Sequence, residues 1–189
     1  MLKVIQYQSA YKAPAILCAV IIFTHILAIV LPGDLNGLCI RPRKIFGLVG
    51  IVFSPFLHSG LPHLISNIPP LFIMGYFVSA LDPKSFIPRT IALIACSGLL
   101  TWLISSSGIV IGASGLVFAY WSFLIVYGFR EKSIKSLLIA IGTILVYGTL
   151  IFSLFKYAPG ISWAGHLSGA IAGFLLAVLI TRERTTIKH

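Results

Sequence analysis

The sequence predicts an all-α membrane protein with six transmembrane helices in one bundle. Three observations support this fold class. Of the 189 residues, 58% are hydrophobic and only 10% are charged, whereas soluble domains carry about 25% charged residues. Several apolar runs approach the length of about 20 residues that a helix needs to cross a bilayer. The Lys and Arg residues fall between these runs, as they do in polytopic membrane proteins.

The apolar runs are interpreted in chain order as six spanning helices and one shorter element. Ile45–Leu57 has only 13 residues and contains Ser54-Pro55, so it is predicted to be an interfacial or re-entrant first loop. The six spans are predicted at Ala13–Leu31, Pro62–Leu81, Phe86–Ile104, Ser114–Gly128, Ser136–Phe155 and Trp163–Ile180. The first run is followed by no small-residue cleavage site and is interpreted as a retained span, not a signal peptide.

Charge predicts the orientation of the bundle. With the N-terminus inside, the inner segments hold ten cations and the outer segments hold four, which are Arg41, Arg43, Lys44 and Lys156. The predicted organisation is therefore a cytoplasmic segment 1–12, a membrane domain 13–181 and a cytoplasmic tail 182–189. The formal net charge of +10 is interpreted as matching an anionic lipid surface. No basic stripe with interleaved aromatic residues occurs, so nucleic acid is not expected as a partner.

The outer cations and the cysteines are not assigned to a functional site. The outer cations Arg41, Arg43 and Lys44 either bind lipid headgroups or are merely solvated, and solvation is favoured. The three cysteines are scattered, which predicts no disulfide framework and no metal site. Cys96 is expected to be a small core residue.

Polar residues on three helices are predicted to lie at one depth near the outer surface. Ser114 and His166 each precede an inner cation, Arg130 or Arg182, by 16 residues. That spacing places both about 24 Å above the inner charges, within a hydrocarbon core about 30 Å thick. Asn67 precedes Asp82 by 15 residues and reaches a similar level.

This layer has the residues for acyl transfer. A serine hydroxyl becomes nucleophilic when a base takes its proton, and histidine is the usual base. All four acidic residues lie outside the spans, so Ser114 and His166 would form a dyad without a carboxylate. Gly112 lets the chain turn sharply into the helix that begins at Ser114, whose first N–H groups are unpaired and could hold an oxyanion. His63 and Asn67 share one helix face and could add side-chain donors to that oxyanion site.

The last helix carries a stripe of small residues, Gly165, Gly169 and Gly173. Such a stripe lets helices approach closely in a bilayer. We expect it to draw the helix of His166 against the helix of Ser114.

Taken together, these motifs resemble those of the rhomboid intramembrane serine proteases. The motifs are Gly112-Ala113-Ser114-Gly115 on the fourth helix, His166 with Gly169 and Gly173 on the sixth, and His58, His63 and Asn67 around the second. The resemblance covers nearly the whole chain from the first span onward. It implies the six-helix core form found in bacteria, with a partly embedded first loop.

The resemblance also implies roles for these residues. Ser114 would be the nucleophile and His166 the general base, while His63, Asn67 and the Ser114 N–H would form the oxyanion site. Gly112 would support that site, and His58 would support the first loop or its hydrogen bonds. Phe118 stands where many members carry a tyrosine that stacks on the histidine, so the ring face is kept and the hydroxyl is lost.

The implied activity is hydrolysis of peptide bonds in or near transmembrane segments of protein substrates, in the cell membrane, without a metal or cofactor. The chain departs from the family pattern in the first loop, where Arg41-Pro42-Arg43-Lys44 replaces a common Trp-Arg pair. A catalytically inactive relative that binds membrane clients therefore stays open as the alternative. A small transporter or channel is disfavoured, because it would need intramembrane charge or paired half-helices, and the spans are interpreted as containing neither beyond histidines.

Overall fold

The architecture is helical throughout the residues that this computed structural model describes, which are 10–31, 35–106, 108–155 and 162–186. Within these ranges there is no strand, only an isolated bridge between Ile40 and Val110. The six long helices are α1 (Lys12–Val30), α2 (Leu61–Leu81), α3 (Phe86–Ile104), α4 (Ser114–Glu131), α5 (Ile134–Tyr147) and α6 (Trp163–Thr186).

Among the described residues, four helices are long and apolar enough to cross a membrane. They are Lys12–Val30, Leu61–Leu81, Pro83–Ile104 and Trp163–Arg182, and α5 is a shorter apolar helix of 14 residues. The chain is therefore an integral membrane protein. Helix α2 remains continuous through Pro69 and Pro70, which lie inside it.

Helix α4 is the centre of the bundle. It packs most extensively against α6 and also contacts α5, α2 and α3. Phe118, Tyr120 and Phe123 of this helix are at most 2% exposed. Because α4 is surrounded by other helices, it can carry polar aromatic residues such as Tyr120, whose hydroxyl hydrogen-bonds Thr90 of α3 at 2.7 Å.

The segment between α1 and α2 is broken into short turns instead of one element. The 3-10 turns Leu35–Leu38, Ile45–Leu48 and Ser54–Phe56 flank a single α-helical turn, Gly50–Phe53. Gly50 packs directly on the backbone of Cys39 and Ile40, where a Cβ would find no room. The first loop is thus folded back on itself, and its helical turn packs against α3.

Arg43 fixes this first loop to the end of α3. Its guanidinium donates to the carbonyl oxygens of Leu103, Ser105 and Ser106 at 2.6 to 3.1 Å. The interpretation of this cation as merely solvated was wrong. The carboxyl end of a helix exposes unpaired carbonyl groups, and a guanidinium with five donors satisfies several of them at once.

Two further expectations need correction. The predicted span Ser136–Phe155 is interrupted, because α5 ends at Tyr147 and a separate helical turn covers Leu150–Ser153. Cys96 is exposed rather than a core residue. The lipid-facing surface of a membrane helix is as apolar as its buried side, so hydrophobicity alone does not separate the two.

Some predictions fall on residues outside the described ranges. These include most of the cytoplasmic segment 1–12, the outer residues Asp34 and Lys156, and the end of the tail 182–189.

Candidate active site

Ser114 is the first residue of α4, directly after a sharp backbone turn. Gly112 has a φ of 110°, a left-handed conformation that residues with a side chain rarely adopt. The Gly112 N–H donates to the carbonyl oxygen of Ser54 at 2.9 Å. This bond ties the turn to the first loop and leaves the half-buried Ser114 at the helix start, where the N–H groups have no intrahelical partner.

His166 lies in the first turn of α6, and its ring stacks on Phe118 of α4. The ring centroids are 4.3 Å apart and the planes differ by 17°. Phe118 is one turn after Ser114, so this stacking holds the imidazole beside the first turn of α4. The second ring contact of Phe118, with Trp121 at 6.2 Å, fixes the phenyl ring from its own helix.

The small-residue stripe of α6 makes this approach possible. A Cβ on Gly169 would collide with the carbonyl oxygen of Gly115, and a Cβ on Gly173 would collide with that of Ala119. A Cβ on Gly115 would lie 3.5 Å from the carbonyl oxygen of Gly165. The backbones of α4 and α6 are therefore in direct contact over two turns, as the stripe predicts.

His63 closes the opposite side of the turn. Its Nε2 and Cε1 atoms lie 2.6 Å from the position that a Cβ on Gly112 would occupy. Its Nδ1 lies 3.2 Å from the Ser59 hydroxyl oxygen. If that hydroxyl donates to Nδ1, then Nε2 carries the proton and faces the Gly112–Ser114 turn as a hydrogen-bond donor.

Asn67 and His58 support this arrangement from α2 and the first loop. Asn67 is 4% exposed, and its Nδ2 donates to the His63 carbonyl oxygen at 2.7 Å. The Ala113 N–H donates to Nε2 of His58 at 3.4 Å. The His58 and His63 rings meet edge to face, with centroids 5.0 Å apart.

The predicted residues thus surround one turn of backbone, although the two central groups are not bonded. Within the described ranges, no hydrogen bond joins the Ser114 hydroxyl to the His166 ring. Instead His166 Nδ1 lies 3.4 Å from the carbonyl oxygen of Ser153. A carbonyl can only accept, so this contact favours the tautomer with the proton on Nδ1 and leaves Nε2 free as a base. Catalytic hydrogen bonds are often long in a free enzyme and shorten once substrate is bound.

Sequence reasoning missed three participants. The carbonyl groups of Ser54 and Ser153 have no sequence signal, because any residue supplies them. The third is His25, inside the first span, whose ring packs edge to face on His58 with centroids 6.4 Å apart. A histidine inside a span was the available signal. No cluster of three or more His, Cys, Asp or Glu side chains suited to a metal ion occurs in the described part.

The chain is similar to known proteins over most of its length. It is 36% identical to an uncharacterized protein of Mycobacterium tuberculosis over 157 residues, which is 78% of this chain and 65% of that relative. An uncharacterized protein of Mycobacterium bovis matches with the same values, and one of Mycobacterium leprae is 34% identical over 163 residues, 81% of this chain and 64% of that protein. The chain therefore spans about two thirds of the length of these curated relatives.

The sequence model of the rhomboid domain family matches residues 46–183 of this chain. That range includes α2 to α5, all but the last three residues of α6, and the turn at Ser114. With this match covering most of the chain, the protein belongs to the rhomboid family.

Proposed function

We propose that the protein is an intramembrane serine endopeptidase that cleaves other membrane proteins in or near their transmembrane segments. Ser114 attacks the scissile carbonyl while His166 takes its proton through Nε2, and His166 then gives this proton to the amine that leaves as the C–N bond breaks. The acyl-enzyme on Ser114 is then hydrolysed by a water molecule that His166 activates in the same way. The observation that carries this proposal is the stacking of His166 on Phe118, one helical turn from Ser114.

The oxyanion would be held by donors around the Gly112 turn. The Ser114 N–H is unpaired at the helix start, and His63 Nε2 and the Asn67 amide lie on the same side of α2. The Gly112 and Ala113 N–H groups already donate to Ser54 and His58. We therefore assign these two residues to the shape of the turn, not to binding of the charge.

The proposal includes six spans, with α4 and α5 as the fourth and fifth, and a partly embedded first loop. Both termini face the cytoplasm and the active site lies near the outer surface of the cell membrane. The substrates are transmembrane proteins, which reach the site from the bilayer.

Cleavage of a fluorescent transmembrane substrate by purified protein in detergent tests this function. We expect the wild type to cleave and Ser114→Ala to be inactive, because the nucleophile is lost. Ser122→Ala is the matched control, since this serine lies two turns further along α4 and is more deeply buried than Ser114, and it should retain activity. Equal cleavage by wild type and Ser114→Ala would refute the assignment.

One observation favours a second candidate function. Because the Ser114 hydroxyl and the His166 ring are not hydrogen-bonded, the chain could bind membrane clients without cutting them. In that case the wild type and Ser114→Ala should capture the same transmembrane peptides with equal affinity, and neither should release a fragment.

A further inference from the structure

His25 is a buried polar side chain that the proposed mechanism does not use. It lies in α1 and is 6% exposed. Neither ring nitrogen, Nδ1 or Nε2, has a hydrogen-bond partner in the described part of the chain. A neutral imidazole has one donor and one acceptor, and buried polar groups are nearly always paired with protein or with ordered water.

His58, whose ring contacts that of His25, also has a buried ring nitrogen without a hydrogen bond. Its Nε2 accepts the Ala113 N–H, so in the neutral ring the proton is on Nδ1. Burial and the neighbouring rings of His63 and His25 lower the pKa of His58 to about 4, which keeps the ring neutral at pH 7. The Nδ1–H donor is buried. The Phe56 carbonyl oxygen lies near enough to the ring to raise its pKa, but no acceptor in the described ranges meets Nδ1–H with hydrogen-bond geometry.

The two rings are near each other but too far apart for a direct bond. Their centroids are 6.4 Å apart and their planes are perpendicular. Even with one nitrogen of each ring pointing at the other, about 4 Å would separate these atoms, which exceeds hydrogen-bond length. One water molecule bridges polar groups at such a separation.

The elements that carry the two rings are fixed beside each other. The Thr24 hydroxyl, next to His25 in α1, donates to the carbonyl oxygen of Phe56 at 2.8 Å. Phe56 precedes His58 by two residues in the first loop. The two rings are therefore held near each other, and both carry buried nitrogens without a hydrogen bond, which are the partners that a buried water needs.

We propose that His25 and His58 bind one buried water molecule between them. The water accepts a hydrogen bond from His58 Nδ1–H and donates one to a ring nitrogen of His25. It thereby fixes the His58 tautomer that accepts the Ala113 N–H, next to Ser114. His25 becomes a positioning residue that links α1 to the nucleophile turn, and this catalytic consequence rests on the proposed function.

Nitrogen NMR of histidine-labelled protein in detergent tests the water site without any need for cleavage. In the wild type we expect His58 to carry its proton on Nδ1 and the Nδ1–H to show a cross-peak to a bound water. His25→Leu should remove that cross-peak and shift both His58 nitrogen signals. His25→Gln should preserve them, because an amide can hold the same water. A His58 proton on Nε2, or unchanged His58 signals in His25→Leu, would overturn the inference.

Cleavage kinetics supply the second measurement. We expect kcat of His25→Leu to fall about 10-fold to 100-fold, because the turn that carries Ser114 is misplaced. KM should be unchanged, because the variant leaves the substrate-binding surface intact. His25→Gln should recover most of the activity. Cys18→Ala, at a buried position two turns before His25 in α1, is the control for a loss of α1 packing, and it should leave the His58 signals in place.

The two readouts separate the two hypotheses. If the wild type does not cleave but the His58 signals behave as expected, the proposed function fails and the water site stands. If the wild type cleaves and His25→Leu has normal kcat and normal His58 signals, the water site fails and the proposed function stands. If His25→Leu does not fold, the wild-type cross-peak and His25→Gln still decide the result.

Discussion

At the scale of single residues, Gly112 determines the shape of the site. Its φ of 110° and the position of His63, 2.6 Å from a hypothetical Cβ, both exclude a side chain. We expect Gly112→Ala to lower the free energy of unfolding by about 1 to 3 kcal/mol and to reduce cleavage strongly. Thermal unfolding in detergent and the cleavage assay measure the two effects.

Gly108→Ala is the control for this prediction. Gly108 also has a positive φ of 86°, but a Cβ there would meet nothing within 4 Å. The Gly108→Ala variant should therefore lose only the stability that backbone strain costs, and it should still cleave the substrate. Equal losses of cleavage in the two variants would contradict a specific contact between Gly112 and His63.

Because the pKa of His58 is lowered in the folded protein, we expect the free energy of unfolding to depend on pH. Burial, and then the rings of His63 and His25, lower its pKa from 6.5 to about 4 in the folded protein. Between these values the unfolded chain binds more protons than the folded one, so the unfolding free energy should fall as the pH drops from 6.5 to 4. Unfolding curves across this range, for wild type and His58→Asn, test it. The variant should show a weaker pH dependence, and identical slopes would contradict the prediction.

At the scale of elements, the contact between α4 and α6 holds the two catalytic candidates together. A Cβ at Gly169 would collide with the carbonyl group of Gly115, so a side chain there must displace backbone instead of the end of a flexible side chain. Gly169→Ala should destabilise the protein by about 1 to 3 kcal/mol, as overpacking does, and separate His166 from Phe118. Thermal unfolding and loss of cleavage measure this.

Gly142→Ala is the matched control in α5, because a Cβ there meets nothing within 4 Å. It should retain both stability and cleavage. A Gly169→Ala protein that is as stable and active as this control would show that the stripe does not set the helix spacing.

Most of the helices and the main contact between them could be predicted from the sequence. Apolar runs and glycine spacing give the helices and the α4–α6 contact, because both depend on residue type. The break after Tyr147 was missed, since the apolar run continues through Gly148 and Thr149 with no proline or charge. The bond from His166 to Ser153 was missed as well, because a backbone carbonyl is independent of residue type.

The exposed position of Cys96 shows a third limit. In water, a hydrophobic stripe identifies the buried face of a helix. In a bilayer the outer face is equally apolar, so helix rotation has to be inferred from small or polar residues. Gly165, Gly169 and His166 carry that information for α6. On α3 the polar residues Thr90, Ser97 and Thr101 mark the buried face, and the prediction for Cys96 did not use them.

At the scale of the whole molecule, the excess of inner cations predicts that both termini face the cytoplasm. One of the cations that the prediction assigns to the inner side is buried: Arg89 is 5% exposed, and its guanidinium lies 3.6 Å from the Asp82 carboxylate. Burial of this charge near an acidic partner avoids the cost of an unpaired charge in the bilayer.

Cysteine labelling in intact cells tests the orientation. On a background without the native cysteines, Gly37→Cys should react with a membrane-impermeant maleimide, because the first loop faces outward. Lys84→Cys, which is exposed between α2 and α3, should react only after permeabilisation. The reverse pattern would invert the bundle and place Ser114 near the cytoplasm.

The central claim is that His166 activates Ser114 in the folded bundle. The most direct measurement is reaction of the membrane-embedded protein with a fluorophosphonate, followed by mass spectrometry of the adduct. We expect the phosphonyl group on Ser114, at a rate that falls at least about 100-fold in His166→Ala. A wild type that forms no adduct at Ser114, or a His166→Ala variant that reacts at the wild-type rate, would contradict the account.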